Sequence, residues 1–246
     1  SILERLVREL IRLLRELLRI HKELVERVIR VLERLLEVHK KLVETIERLL
    51  DKLAELVRRG LPEKDLKTEI DRVKTELERV LRETKEEVKR LIEEIKRLED
   101  DSRRRMKELV EEIERLIRKL EKDGTEPREK LKRAADEARR LLEELKKLHE
   151  TSIDETRRIL EKLKRVHEEL EERTRRLDKR LEELARRGSD KREIEKVLRE
   201  IKEELRRSLR ELKRVLDEVK ERLKESLERL RKLIEEIKER LDRIRK

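Results

Sequence analysis

Residues 17–46 read LLRIHKELVERVIRVLERLLEVHKKLVETI. A step of eighteen carries Leu18, Ile20, His21, Leu24, Val25 and Val28 onto Leu36, Val38, His39, Leu42, Val43 and Ile46. Eighteen residues make five α-helical turns, so the step returns each side chain to the same face of one helix. Heptads impose a left-handed supercoil, whereas a period near 3.6 demands little supercoiling. The stretch therefore predicts a long, nearly straight amphipathic helix with histidines set into its apolar stripe.

The same step recurs along the chain. His149 and His167 are eighteen apart, as are Thr84 and Ser102, and Ser208 and Ser226. Three glycines punctuate the 246 residues. Gly60, Gly124 and Gly188 each follow a periodic segment, where glycine closes a helix in the left-handed conformation without steric cost. Pro62 suits a first helical position, Thr125 ahead of Pro127 suits an N-cap, and Asp190 with Glu193 resembles a capping box. Helices are expected over about 2–59, 62–123, 126–187 and 190–245. At 1.5 Å per residue each is some 85–90 Å long, and such short connections fold each helix back on its predecessor. The expected fold is all-α: an antiparallel up-down-up-down four-helix bundle forming one domain over 1–246, with hairpins at 1–123 and 125–246.

The two hairpins are similar in sequence. Shifted by 128, the first segment lands on the third, Leu14 on Leu142 and Leu42 on Leu170. Shifted by 124, the second lands on the fourth, Ile70 on Ile194 and Met106 on Leu230. An approximate two-fold axis follows.

Composition excludes most chemistry. Charged residues make up 57% of the chain, aromatic ones 0%, and there is no cysteine. Disulfides, thiolate metal sites and cysteine nucleophiles are absent. No apolar run is long enough for a transmembrane helix or a secretory leader, so a soluble chain without a membrane partner is expected. The net charge of +11 comes from 75 basic and 64 acidic residues interleaved at helix ion-pair spacing,. With no aromatic side chain to stack on a base, no specific nucleic-acid partner is expected.

Eight polar residues fall on the apolar stripes. Stepping eighteen forward on one helix and eighteen back on its antiparallel neighbour carries His21, Ser102, His149 and Ser226 onto His39, Thr84, His167 and Ser208. They form two expected polar layers about 27 Å apart along the helices. A neutral imidazole offers one donor and one acceptor, and a hydroxyl offers both. Each layer is expected to close a network that fixes helix register, with Thr156 and Thr174 extending it. Ser102→Ala is expected to strip a histidine nitrogen of its partner.

A second feature is an asymmetry between the halves. Ile11, Leu18, Ile29, Leu36, Val43 and Leu50 widen the first helix's apolar arc, where the third carries Arg139, Lys146, Arg157, Lys164, Glu171 and Asp178. Leu198, Leu209 and Leu227 likewise stand against Lys74, Lys85 and Arg103. Either the core is lopsided, or this stripe is a candidate interface for a second copy or a designed helical partner.

The eighteen-residue period, the interleaved Glu/Lys/Arg surface, the missing aromatics and the glycine stops together resemble computationally designed helical bundles with buried hydrogen-bond networks. That resemblance implies a scaffold, a pairing module or a pH-responsive assembly. No enzyme is expected, because mid-helix amides supply no oxyanion hole. No metal or cofactor is expected either, since each layer offers two histidines and no evident core carboxylate. A bis-histidine haem bundle is the alternative, with the leucines around the layers standing against it.

Overall fold

In the computed structural model, which describes residues 2–122, 128–187 and 190–245, four helices account for nearly every residue. They are α1 (Ile2–Arg58), α2 (Glu63–Lys122), α3 (Arg128–Arg186) and α4 (Lys191–Arg245). Each boundary lies within two residues of its expected place. Gly60 adopts φ 77° and its N–H reaches the Val57 carbonyl at 3.2 Å, ending α1 as the glycine signal predicts,. Pro62 stands one residue earlier than expected. Its carbonyl accepts from the N–H groups of Asp65 and Leu66, both at 3.0 Å, so it precedes the first turn of α2. The Asp190 carbonyl does the same for Glu193 and Ile194 at the start of α4. Gly124, Thr125, Pro127 and Gly188 lie outside the described residues.

The helices pack as an up-down bundle in which α1·α2, α2·α3, α3·α4 and α1·α4 are neighbours. Ion pairs bridge each seam: Arg105–Glu23, Lys74–Glu182, Arg173–Glu204 and Arg206–Glu47. Among the described residues no helix is long and apolar enough to cross a membrane.

The chain divides into two compact units, each taking a part of all four helices. The first holds α1 up to Arg30, α2 from Glu94, α3 up to Arg158 and α4 from Val219. Its core includes Leu10, Leu17, Ile113, Leu145, Leu230 and Ile237. The second holds the remainder, with Ile46, Leu50, Leu77, Leu181, Leu198 and Leu205 in its core. Burying one such side chain contributes about 1.5–3 kcal/mol.

The two α-helical edges that differ in sequence meet different neighbours. On α1, Val43 and Leu50 are buried in the same cluster as Leu198, with Leu209 packed against it. Ile11 and Leu18 pack on the first unit's core, while Ile29 and Leu36 are half-buried. Of the candidate interface stripe, Val43 and Leu50 are buried within the chain, while Ile11, Leu18, Ile29 and Leu36 remain half-buried. The charged counterparts zip α2 to α3: Lys85–Glu171, Arg103–Glu150, Lys146–Glu114, Arg139–Glu121 and Arg157–Glu99. Transplanting the α3 residues as Leu18→Lys, Leu36→Lys and Val43→Glu removes apolar burial from α1. We expect the variant to lose about 3 kcal/mol or more in urea unfolding. An unchanged midpoint together with a lower solution mass would instead place the stripe between molecules.

Candidate functional site: two buried histidine layers

The first layer lies wholly in the first unit. His21, 1% exposed, is placed by α1 against His149 of α3 and Ser226 of α4. His21 Nδ1 lies 3.2 Å from His149 Nδ1, and His21 Nε2 lies 3.0 Å from Ser226 Oγ. The Ser226 hydroxyl also bonds that of Ser152, which in turn donates to the Leu148 carbonyl at 2.9 Å.

Proton counting orients this chain. Each neutral ring and each hydroxyl has one hydrogen to give. Ser152 spends its hydrogen on Leu148, so Ser226 donates to Ser152. Ser226 then accepts from His21 Nε2–H, which leaves His21 Nδ1 as an acceptor. His149 therefore donates from Nδ1, and its Nε2 carries a lone pair with no partner. One direction runs through four side chains and ends on a backbone carbonyl.

Ser102 is buried in the same unit, but its hydroxyl makes no hydrogen bond. Ser152 occupies the role expected of it. The signal for Ser152 is its place one turn after His149 on the same face of α3, which an eighteen-residue step does not reach.

The second layer lies in the second unit and is built differently. The rings of His39 and His167 meet edge to face with centroids 6.0 Å apart. His39 Nε2 and His167 Nδ1 have no hydrogen-bond partner. Thr84 is buried but donates to the Val80 carbonyl of its own helix at 2.8 Å. Ser208 is buried on α4. Thr156 and Thr174 also donate to their own helix, at Ser152 O and Leu170 O, and extend no network. A threonine inside a helix readily bonds the carbonyl four residues back, so layer two does not close as expected.

Three carboxylates sit where the sequence suggested surface or gave no sign: Glu99, Glu171 and Asp178 are buried. Glu171 corrects the expectation of a core without carboxylates. Its Oε1 is 3.5 Å from His167 Nε2, close enough for charge attraction but long for a hydrogen bond,. Burial pushes Glu99 up to about 7 against the pull of Arg157 and Arg103. Burial likewise raises Asp178 to about 6, opposed by Lys74. Thr174, Glu171 and Asp178 line an α2·α3 groove of about 450 Å³ in the second unit.

All four rings resist protonation. Burial lowers His21 to about 3, with His149 adding repulsion, and His39 to about 4, with His167 adding repulsion. Burial and the Arg103 charge hold His149 at about 4. His167 is lowered by burial and by Lys85, against the opposing charges of Glu171 and Glu168.

In layer one the haem alternative does not fit this packing. Two axial imidazoles with metal bonds of about 2 Å each stand about 4 Å apart with a macrocycle between them. Here the facing nitrogens of layer one bond directly, and Leu17 and Leu145 are fully buried in the same core.

Comparison with protein-family models, with curated proteins and with solved structures gives no match to this chain.

The directed chain separates two serines that the sequence treats alike. Ser226→Ala leaves the His21 Nε2–H without an acceptor and is expected to cost about 1–3 kcal/mol. Ser102→Ala removes an unpartnered hydroxyl and is expected to be neutral or stabilising. Urea midpoints of the two variants check this, and equal losses would contradict the proposed direction.

Proposed function

We propose that this chain is a designed, non-enzymatic helix-pairing scaffold whose histidine layers set register and confer acid sensitivity. The observation that carries the reading is the double engagement of His21. One ring on α1 holds α3 through Nδ1 and α4 through Nε2. Sliding any of these helices by one turn would face the ring nitrogens with apolar side chains. Each orphaned polar group would then cost about 1–3 kcal/mol. Apolar burial supplies the bulk of the stability, and the polar layer selects among pairings of similar burial. The resemblance to designed bundles with buried networks supports the same role.

Catalysis is the poorer reading. His21 Nε2–H donates to Ser226 and so is no base for that hydroxyl, the Thr84 hydroxyl is turned to its own backbone, and the helical amides around the layers are already bonded, which leaves the reading without a nucleophile–base pair or an oxyanion hole,.

Acid sensitivity follows from linkage. The rings have folded pKa values below the unfolded value of about 6.5, so the unfolded chain binds more protons below that pH. Stability from the histidines is present above about pH 6.5 and is lost as pH falls toward 4. Glu99 and Asp178 act in the opposite sense. Their folded pKa values are raised to about 7 and about 6, so the fold holds protons that the unfolded chain has released. Their contribution is present at low pH and is lost as pH rises through those values. Four rings outweigh two carboxylates, and net stability falls on acidification by several kcal/mol, at about 1.4 kcal/mol per pKa unit and ring.

Urea midpoints at pH 7.5 and about pH 5, for the parent and for a variant with all four histidines changed to Asn, test the reading. The parent is expected to weaken in acid. The variant, left with the two raised carboxylates, is expected to hold its midpoint or gain in acid,. The same shift in both proteins would remove the histidines as the sensor.

A further inference from the structure

The positive charge of the chain is unevenly placed. Residues 1–8, 115–133 and 238–246 carry 15 basic and 7 acidic side chains, and so hold +8 of the net +11. The four helix ends in these stretches meet in the first unit, where Val7 of α1, Ile117 of α2, Ala134 of α3 and Leu241 of α4 share one core. At the helix ends of the second unit, residues 52–69 and 182–197 carry 10 basic and 9 acidic side chains, a net of +1.

Ion pairing sharpens the contrast. In the second unit Arg58, Arg59, Arg186 and Arg187 each pair with a glutamate. In the first, Arg118, Lys119 and Lys122 of α2 and Lys130, Lys132 and Arg133 of α3 are exposed and enter no ion pair among the described residues. The same holds for Arg8 of α1 and Arg243 of α4. Like charges gathered on one surface repel one another, and a polyanion relieves that repulsion.

We propose that this end of the first unit is a docking surface for the phosphate backbone of duplex nucleic acid, without preference for sequence. Packed helices lie about 10 Å apart, so long basic side chains on four of them spread their charges over roughly 20–30 Å. That span covers most of one duplex turn of about 34 Å. Helix ends form the surface, and no helix is offered lengthwise to the major groove, where base edges are read. Contacts to phosphate position a protein on the duplex and carry no sequence information. A single strand is the poorer partner, because the chain has no aromatic side chain on which bases could stack,. A lipid surface is poorer too. Val7, Ile117 and Leu241 are buried, and no aromatic ring is present to settle among headgroups,. The inference does not rest on the pairing role of the histidine layers, since the residues it uses lie outside both of them.

The test is fluorescence anisotropy of a labelled duplex of about 20 base pairs, titrated with the intact protein at about 50 mM and about 200 mM salt. We expect binding at the lower salt, and a loss of about a hundredfold or more at the higher, as for about four or more neutralised phosphates. Lys119→Glu, Lys122→Glu, Lys130→Glu and Arg133→Glu together should weaken binding at the lower salt by about tenfold or more. Lys52→Glu, Lys64→Glu, Lys67→Glu and Lys196→Glu together change the net charge equally at exposed positions of the second unit. That second variant should stay within about threefold of the parent. Circular dichroism reports whether the helices of both variants are intact, and the salt dependence of the parent is read without either. No binding by the parent at the lower salt, or affinity insensitive to salt, would overturn the proposal. So would equal losses in the two variants, which would assign the binding to net charge alone. Sedimentation of the parent with vesicles about one-third phosphatidylserine, in the absence of duplex binding, would give the surface to lipid instead.

Discussion

A neutral imidazole in an apolar core has one hydrogen to give and one lone pair to fill, and the architecture around His21 follows from that constraint. Its two nitrogens point to two different helices, so one side chain ties α1 to α3 and to α4 at once. Each partner then has to pass its own hydrogen on. The series ends only at Leu148 O, a carbonyl of α3. Leucine packing by itself is tolerant of register, because one leucine fills another's place at modest cost. A chain of single hydrogens is not tolerant, since every link fixes the next.

The seams divide the remaining work unequally. Along α1·α4 the edge residues are aliphatic, and Val43, Leu50 and Leu198 disappear into the core. Along α2·α3 the same positions are charged and meet as cross-helix pairs. Exposed pairs of this kind contribute about 0–1 kcal/mol each, so α1·α4 is the stronger seam. Charge on the α2·α3 side also draws carboxylates inward. Glu99 and Asp178 lie on that seam with oxygens that find no hydrogen bond. The open groove of the second unit lies there as well.

Much of this was legible in the sequence. Periodicity and three glycines placed four helices to within two residues, because helix ends are set by local chemistry that one chain carries in full. The histidines were legible because a polar residue on an apolar stripe breaks a strict pattern. The partner atoms were less so. A helical wheel gives the angle of Glu171 and Asp178 but not which neighbour lies at that angle, so both read as surface and proved buried. Thr84 and Ser102 were equivalent by spacing, yet neither bonds a ring. The β-branched threonine settles onto the carbonyl one turn back, and Ser152 reaches Ser226 instead of Ser102. Register comes from spacing, whereas hydrogen-bond choice comes from rotamers competing for the same atoms.

The two layers therefore differ in kind although the sequence makes them copies. Layer one is saturated on three of its four ring nitrogens, and its polarity serves geometry. Layer two has lost its Thr84 hydroxyl to the backbone and has Glu171 beside His167 instead. An imidazole beside a hydroxyl is a neutral hydrogen-bonding unit, whereas His167 Nε2 faces Glu171 Oε1 at 3.5 Å, too far for a good hydrogen bond,. Lys85, exposed and 3.9 Å from Glu171 Oε2, is weakly engaged, and burial opposes a proton on His167. The layer that fails as a hydrogen-bond network leaves His39 Nε2 and both nitrogens of His167 unpartnered, and is for that reason the costlier of the two to bury,.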